Sequence, residues 1–164
     1  MVNVRNSFEI QVGKLLRDRG LKLVLAESCT GGLLGSRITD VAGSSEYFLG
    51  GTVAYAYEAK VDLLGVSWET LNTRGAVSRE TVLEMARGIR QLMRADIAVS
   101  VSGIAGPGGG TPEKPVGTTW IGLTAEDGEW AKDYQFSADR EGNKSLAVDA
   151  ALTLLLDYLQ GKQL

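Results

Sequence analysis

Leu21-Lys22-Leu23-Val24-Leu25-Ala26-Glu27, then Ser28-Cys29-Thr30-Gly31-Gly32, then Leu33–Val41 read as a strand, a short glycine turn and a helix. In the strand, Leu21, Leu23 and Leu25 take one face and Val24 and Ala26 the other. Apolar residues on both faces predict a strand covered on both sides. Upstream, Val4, Phe8, Val12, Leu15 and Leu16 recur at helical spacing, with Gly20 as a stop signal. Downstream, Gly50–Tyr57 reads as a second strand and Glu58–Leu64 as a short helix. Ser78 is the expected N-cap of a helix Arg79–Met93, whose buried stripe is Val82, Met85, Ala86, Ile89 and Met93. Asp96–Ser102 is a third strand. Gly117–Ala125 and Glu129–Ser137 flank Glu126-Asp127-Gly128, a hairpin signal that predicts antiparallel pairing. A helix over Asn143–Leu159 closes the chain. Helices interspersed with strands, then one hairpin, predict an α/β layered fold with a mixed sheet. No repeat or linker divides it, so residues 1–164 are expected to form a single domain.

Composition narrows the chemistry. The 164 residues include one cysteine, Cys29, and no histidine. Ser-His-Asp and Cys-His catalysis, His-ligated zinc and Cys-rich zinc sites are therefore excluded. A general base near neutral pH has to be a carboxylate, a lysine, a tyrosinate or water. The net charge of −3 lacks the basic footprint of a nucleic-acid binder. No apolar run reaches the roughly 20 residues of a membrane span. Met1–Glu9 has no apolar segment of signal-peptide type, so a cytoplasmic location is the expectation.

The 21 glycines cluster at 31–32, 50–51 and 103–110. Ser28 lies just before the first cluster, at the carboxyl end of a buried strand, where α/β folds bind ligands. The amides of Thr30, Gly31 and Gly32 would be open donors of the next helix, suited to an oxyanion or a phosphate. Alternatively, Ser28 or Thr30 caps that helix. A nucleophilic serine needs a base, and lysine is the leading candidate. Bringing a lysine from ~10.4 to about 7.5 takes roughly 4 kcal/mol of desolvation or like-charge repulsion. Lys60, between Ala59 and Val61, suits such an apolar setting and is preferred to Lys14, Lys22, Lys132 and Lys162. The alternative for Lys60 is a solvated helix lysine. Tyr55 is a candidate to relay the serine proton or hold the amine, or else is a packed sheet tyrosine. Cys29 reads as a small buried side chain more than as a rival nucleophile.

The loop Gly103–Val116 holds all three prolines and follows the third strand directly. Ser102, Gly103, Ala105 and Gly106 in Ser102-Gly103-Ile104-Ala105-Gly106-Pro107 could wrap a ribose or phosphate with backbone donors. Arg140 is a candidate phosphate clamp, or a surface ion pair. The GxSxG elbow, the GxxxxGK[ST] phosphate loop, a Ser-x-x-Lys pair and a complete GxGxxG are all absent from the sequence.

Taken in order, Ala26-Glu27-Ser28-Cys29-Thr30-Gly31-Gly32, Gly43-Ser44-Ser45, Tyr55-x-x-Glu58-Ala59-Lys60, Gly75-Ala76-Val77-Ser78, Ser102-Gly103-Ile104-Ala105-Gly106-Pro107-x-Gly109-Gly110 and Lys114-Pro115-Val116-Gly117-Thr118 form a specific set. Over about residues 7–160 the chain resembles the C-terminal domain family of CinA. Stand-alone members of that family are nicotinamide-nucleotide amidohydrolases (NMN deamidases, PncC type). The resemblance implies a three-layer α/β/α sandwich with a mixed, mostly parallel five-stranded sheet. It implies hydrolysis of the carboxamide of nicotinamide mononucleotide (NMN) to nicotinate mononucleotide and ammonia, with no metal or other cofactor. It also implies Ser28 as nucleophile, Lys60 as base and Tyr55 beside them. Thr30, Gly31, Gly32, Ser44, Ser102, Gly103, Ala105, Gly106 and Arg140 are then expected around the mononucleotide. The chain departs from the family pattern at Tyr57, where Asn is common, and at Lys144, where arginine is expected. Longer CinA proteins add an N-terminal pyrophosphatase-type domain, and that activity is not expected of these 164 residues. The alternatives are a nucleotide-binding module without turnover and an amidase for another small amide. A homo-oligomer is a candidate assembly, with Trp68, Trp120 and Trp130 as candidate contact aromatics.

Overall fold

Leu23–Glu27 forms β1, and all five residues are buried. Leu23 and Leu25 pack into one apolar cluster and Val24 and Ala26 into another, so the strand is covered on both faces as its sequence predicts. The structure is a computed structural model that describes residues 7–164. Val4, placed in the first helix by its spacing, lies outside the described residues.

The first helix, α1, spans Phe8–Arg19 and ends at Gly20, whose φ of 66° is the left-handed stop that glycine takes without strain. After β1 come α2 (Leu33–Thr39), a 3-10 turn (Ser44–Glu46), β2 (Phe48–Val53) and α3 (Tyr57–Leu64). Then follow α4 (Trp68–Arg74), α5 (Arg79–Met93), β3 (Ile97–Gly103), β4 (Thr118–Ala125), β5 (Gly128–Gln135) and α6 (Arg140–Leu159). The sheet order is β2-β1-β3-β4-β5. β1 pairs in parallel with β2 and β3, and β4 runs antiparallel between β3 and β5. Four strands thus share one direction, and the sheet is mixed. α1, α2 and α6 cover one face, while α3, α4 and α5 cover the other. The layered α/β fold expected from the pattern, and the three-layer sandwich that the resemblance implies, are observed.

Some boundaries move. The second strand starts at Phe48 and ends at Val53, short of Tyr57, because its partner β1 stops at Glu27, opposite Val53. α6 begins at Arg140, three residues early, because Asp139 caps it by accepting from the Gly142 amide at 2.8 Å. α4 is an addition: Ser67 accepts from the Thr70 amide at 2.9 Å and starts it. Ser78 caps α5 by accepting from the Thr81 amide, and α5 has the predicted ends. Among the described residues, no helix is long and apolar enough to cross a membrane.

Candidate active site

Three connections bring the site together at the carboxyl edge of β1. The Ser28 amide donates to the Val101 carbonyl at 2.9 Å, which fixes Ser28 against β3. The Ala54 amide donates to the Glu27 carbonyl at 2.8 Å, so the chain leaving β2 still runs beside β1. α3 then packs tightly on α5. A Cβ on Gly88 of α5 would stand 1.8 Å from the Leu64 carbonyl oxygen, so only glycine permits that approach. Lys60, on α3, is thereby aimed at Ser28.

The Lys60 Nζ lies 3.0 Å from Ser28 Oγ, 2.7 Å from the Ala54 carbonyl oxygen and 3.0 Å from the Tyr55 carbonyl oxygen. Lys60 is 0% exposed and Ser28 is 7% exposed. Burial pushes the amine down from the ordinary 10.5 to about 8. The three acceptors suit both protonation states. An ammonium donates to all three. A neutral amine keeps two N–H donors for the two carbonyls and turns its lone pair to the Ser28 hydroxyl, which then donates. That second state is a serine hydrogen-bonded to a general base. The solvated reading of Lys60 is overturned, because its side chain has no exposed surface.

Cys29 is buried, and burial pushes its thiol up to about 11, so it stays protonated near neutral pH. Neither Ser28 nor Thr30 caps α2. The N-cap position of that helix is Gly32, which has no side chain to cap it. Its end is filled by Glu27, a residue to which the sequence reading attached no role. Glu27 Oε2 accepts from Thr30 Oγ1 at 2.6 Å and from the amides of Gly32 and Leu34 at 3.1 Å, and Oε1 accepts from the Gly35 amide at 2.8 Å. The Gly31 amide donates to the Ser28 carbonyl at 3.1 Å. The expected donors at Gly31 and Gly32 are therefore committed within the protein. Among the described residues, the amides of Cys29 and Thr30 are the turn's donors with no carbonyl or carboxylate partner.

Tyr55 is 58% exposed, so it is not a packed sheet tyrosine. Its carbonyl meets the amine, while its phenol accepts from Arg140 Nη2 at 3.1 Å. Arg140 Nη1 also donates to the Gly106 carbonyl at 2.6 Å, so Arg140 ties the glycine loop to Tyr55, and it forms no ion pair among the described residues. The Ala105 carbonyl accepts from Asn143 Nδ2 at 3.1 Å, a second tie from α6 to the loop. Ser102 is turned inward, donating to the Ala76 carbonyl at 2.7 Å. Gly103 leaves room for Thr119, whose Oγ1 would sit 2.6 Å from a Cβ there. Lys144 comes near the turn, its Nζ 3.9 Å from the place a Gly31 Cβ would take. Tyr57 packs near Trp68, ring centroids 6.4 Å apart.

Ser44 is not brought to the site. It precedes β2, and β2 runs parallel to β1, so Ser44 sits at the amino edge of the sheet. The length of β1, roughly 16 Å, separates that edge from Ser28. Among the described residues, no group of three or more His, Cys, Asp and Glu could hold a metal ion.

The Lys60 shift has a consequence for stability. The folded value of about 8 lies below the unfolded 10.5, so unfolding takes up a proton between them. Below about 8 the penalty on the buried ammonium is present in full, and above 10.5 it is gone. Relative to a Lys60→Met variant, the wild type is expected to gain about 3 kcal/mol between about pH 7 and about pH 10.5. Denaturant unfolding of both proteins across that range reads the difference. A difference that stays constant with pH contradicts the buried, shifted amine.

Comparison with known proteins gives concordant matches. The model of the CinA C-terminal domain matches residues 5–159. A CinA-like protein of Thermotoga maritima is 48% identical over 162 residues, which are 99% of this chain and 39% of that protein. A CinA-like protein of Geobacter sulfurreducens is 48% identical over 150 residues, 92% of this chain and 36% of that protein. The chain thus spans less than two-fifths of the length of these curated relatives. Among solved structures, the competence damage-inducible protein A of Klebsiella pneumoniae superposes with a TM-score of 0.92 at 38% identity, covering 96% of this chain and all of that one. The competence/damage inducible protein CihA of Agrobacterium tumefaciens gives 0.89 at 41% identity, covering 94% and 96%.

Proposed function

The chain belongs to the CinA C-terminal domain family, and on that premise we propose that it hydrolyses the carboxamide of NMN to nicotinate mononucleotide and ammonia. The observation that carries this reading is the buried amine of Lys60, 3.0 Å from Ser28 Oγ. Neutral Lys60 takes the Ser28 proton as Oγ attacks the carboxamide carbon. The amides of Cys29 and Thr30 are the donors for the oxyanion. The Lys60 ammonium passes its proton to the departing nitrogen, the C–N bond breaks and ammonia leaves. Water then attacks the Ser28 ester, giving one proton to Lys60 and restoring the hydroxyl. A substrate pyridinium beside Lys60 favours the neutral amine through like-charge repulsion. The substrate phosphate supplies remote binding energy that orients the amide.

The test is ammonia release from NMN, with nicotinamide riboside and nicotinamide as comparisons and with and without a chelator. Release that depends on the phosphate and ignores the chelator supports the reading. Tight binding of NMN with no ammonia overturns it in favour of a binding module.

Tyr55 enters this scheme through its carbonyl. Tyr55→Phe keeps the carbonyl and removes only the phenol that meets Arg140. It is expected to cost no more than about tenfold in kcat, the scale of one lost hydrogen bond. The acid limb of its pH profile should still bend near 8. A loss near that of a Lys60 variant would instead make the phenol the proton relay.

A further inference from the structure

We propose that Glu27 is the positioning residue of this site, its carboxylate clamping the Ser28–Gly32 turn while its carbonyl holds the strand that carries the lysine's acceptors. This inference rests on the amidohydrolase reading for its kinetic readouts, but not for the geometry. Glu27 is 3% exposed. A carboxylate at that depth is costly unless its acceptor sites are filled. Four donors fill them, from Thr30, Gly32, Leu34 and Gly35. These residues bracket a turn with two consecutive left-handed glycines, Gly31 at φ 61° and Gly32 at φ 99°. Such a turn has wide conformational freedom in isolation. The carboxylate ties its two ends together.

The clamp does not touch the reacting atoms. Side chains alternate along a strand, so Glu27 points toward α2 while Ser28 points toward α3. Its hydrogen bonds run to the turn and to α2, and none reaches Ser28 Oγ or Lys60. On the main chain, the Glu27 carbonyl accepts from the Ala54 amide at 2.8 Å, and the Ala54 carbonyl accepts from Lys60 Nζ at 2.7 Å. One residue thus fixes the nucleophile's turn through its side chain and the base's cradle through its backbone. It also fills the amino end of α2, which leaves the Cys29 and Thr30 amides as the turn's donors without a carbonyl or carboxylate partner among the described residues.

Glu27→Gln separates the two roles. It keeps the backbone bond and the side-chain shape. Wherever the new NH2 group lies, it faces at least one N–H donor and loosens the turn. The readout is the rate at which phenylmethanesulfonyl fluoride labels Ser28. There the S–O bond forms, the S–F bond breaks, fluoride leaves and Lys60 takes the proton. Misplacement of a reacting group by about 1 Å costs about 100-fold, so Glu27→Gln is expected to slow labelling and kcat by about that factor, with KM within about threefold. The bend in the pH profile of labelling should stay near 8, because the amine's surroundings are kept. Rates are taken at a temperature where circular dichroism shows both proteins folded.

If Glu27→Gln fails to fold, Thr30→Val removes only the 2.6 Å bond to Oε2. That variant is expected to label about tenfold more slowly. Wild-type labelling in either folded variant overturns the proposal. So does a bend that moves away from 8: downward would mean that the Glu27 charge had supported the ammonium, upward that the variant lets water reach the amine. Wild-type protein that labels at Ser28 but releases no ammonia from NMN overturns the amidohydrolase reading, with the labelling series still deciding the role of Glu27. Wild-type protein that does not label at Ser28 overturns both.

Discussion

Ser28→Ala is expected to lower ammonia release from NMN by at least about 10⁴-fold, the scale of removing a catalytic serine. Among the described residues, the hydroxyl has one hydrogen-bond partner, the Lys60 amine. Removing it leaves that amine its two carbonyls, so the fold is expected to survive with little change in Tm. NMN binding, read by calorimetry, is expected to persist, because the substitution removes a single oxygen and leaves the backbone of the turn in place. Loss of turnover with binding kept assigns Ser28 to the chemical step. Ammonia release within tenfold of wild type would remove Ser28 from the mechanism. Cys29 is no substitute nucleophile, since burial holds its thiol up at about 11.

Lys60→Met is the second large effect. It takes away the proposed base while keeping an unbranched side chain of similar length. The expected loss is at least about 10⁴-fold, the upper end for general acid–base catalysis. The acid limb that bends near 8 should vanish with it. Lys60→Arg keeps a positive charge and is expected to fail as badly, because a guanidinium has no lone pair to offer near neutral pH. Substantial activity in the arginine variant would mean that charge, and not basicity, is what position 60 contributes. Single-turnover ammonia release over a pH series measures both variants.

How much of this was legible in the chain depends on the range of the interaction. The β1 strand was readable because Leu23, Val24, Leu25 and Ala26 are all apolar, and only a doubly covered strand explains that. The β4–β5 hairpin and the ends of α5 were readable because turn and cap residues act locally. The Ser28–Lys60 pair was reached by elimination, since a chain without histidine has few bases to offer. Its 3.0 Å contact spans 32 residues and needed the fold.

Three features were not legible. Ser44 sits in a motif beside others that do reach the site, yet sequence order does not say at which sheet edge a loop lies. Arg140 suggested a phosphate clamp because an arginine before a helix suits one, and no local signal showed that its guanidinium would meet the Gly106 carbonyl and the Tyr55 phenol. Glu27 carried a signal that went unread. A lone carboxylate ends an apolar strand just before two adjacent glycines, and at 3% exposure it has to be bonded on every side.

The most direct test of the account is the titration of Lys60 itself. With 13C-labelled lysine, the ε-carbon resonance of Lys60 can be assigned by its absence in Lys60→Met and followed with pH. The predicted midpoint is about 8, pushed down by burial from 10.5. A midpoint at the ordinary 10.5 would mean an amine that stays charged near neutral pH and cannot take the proton of Ser28.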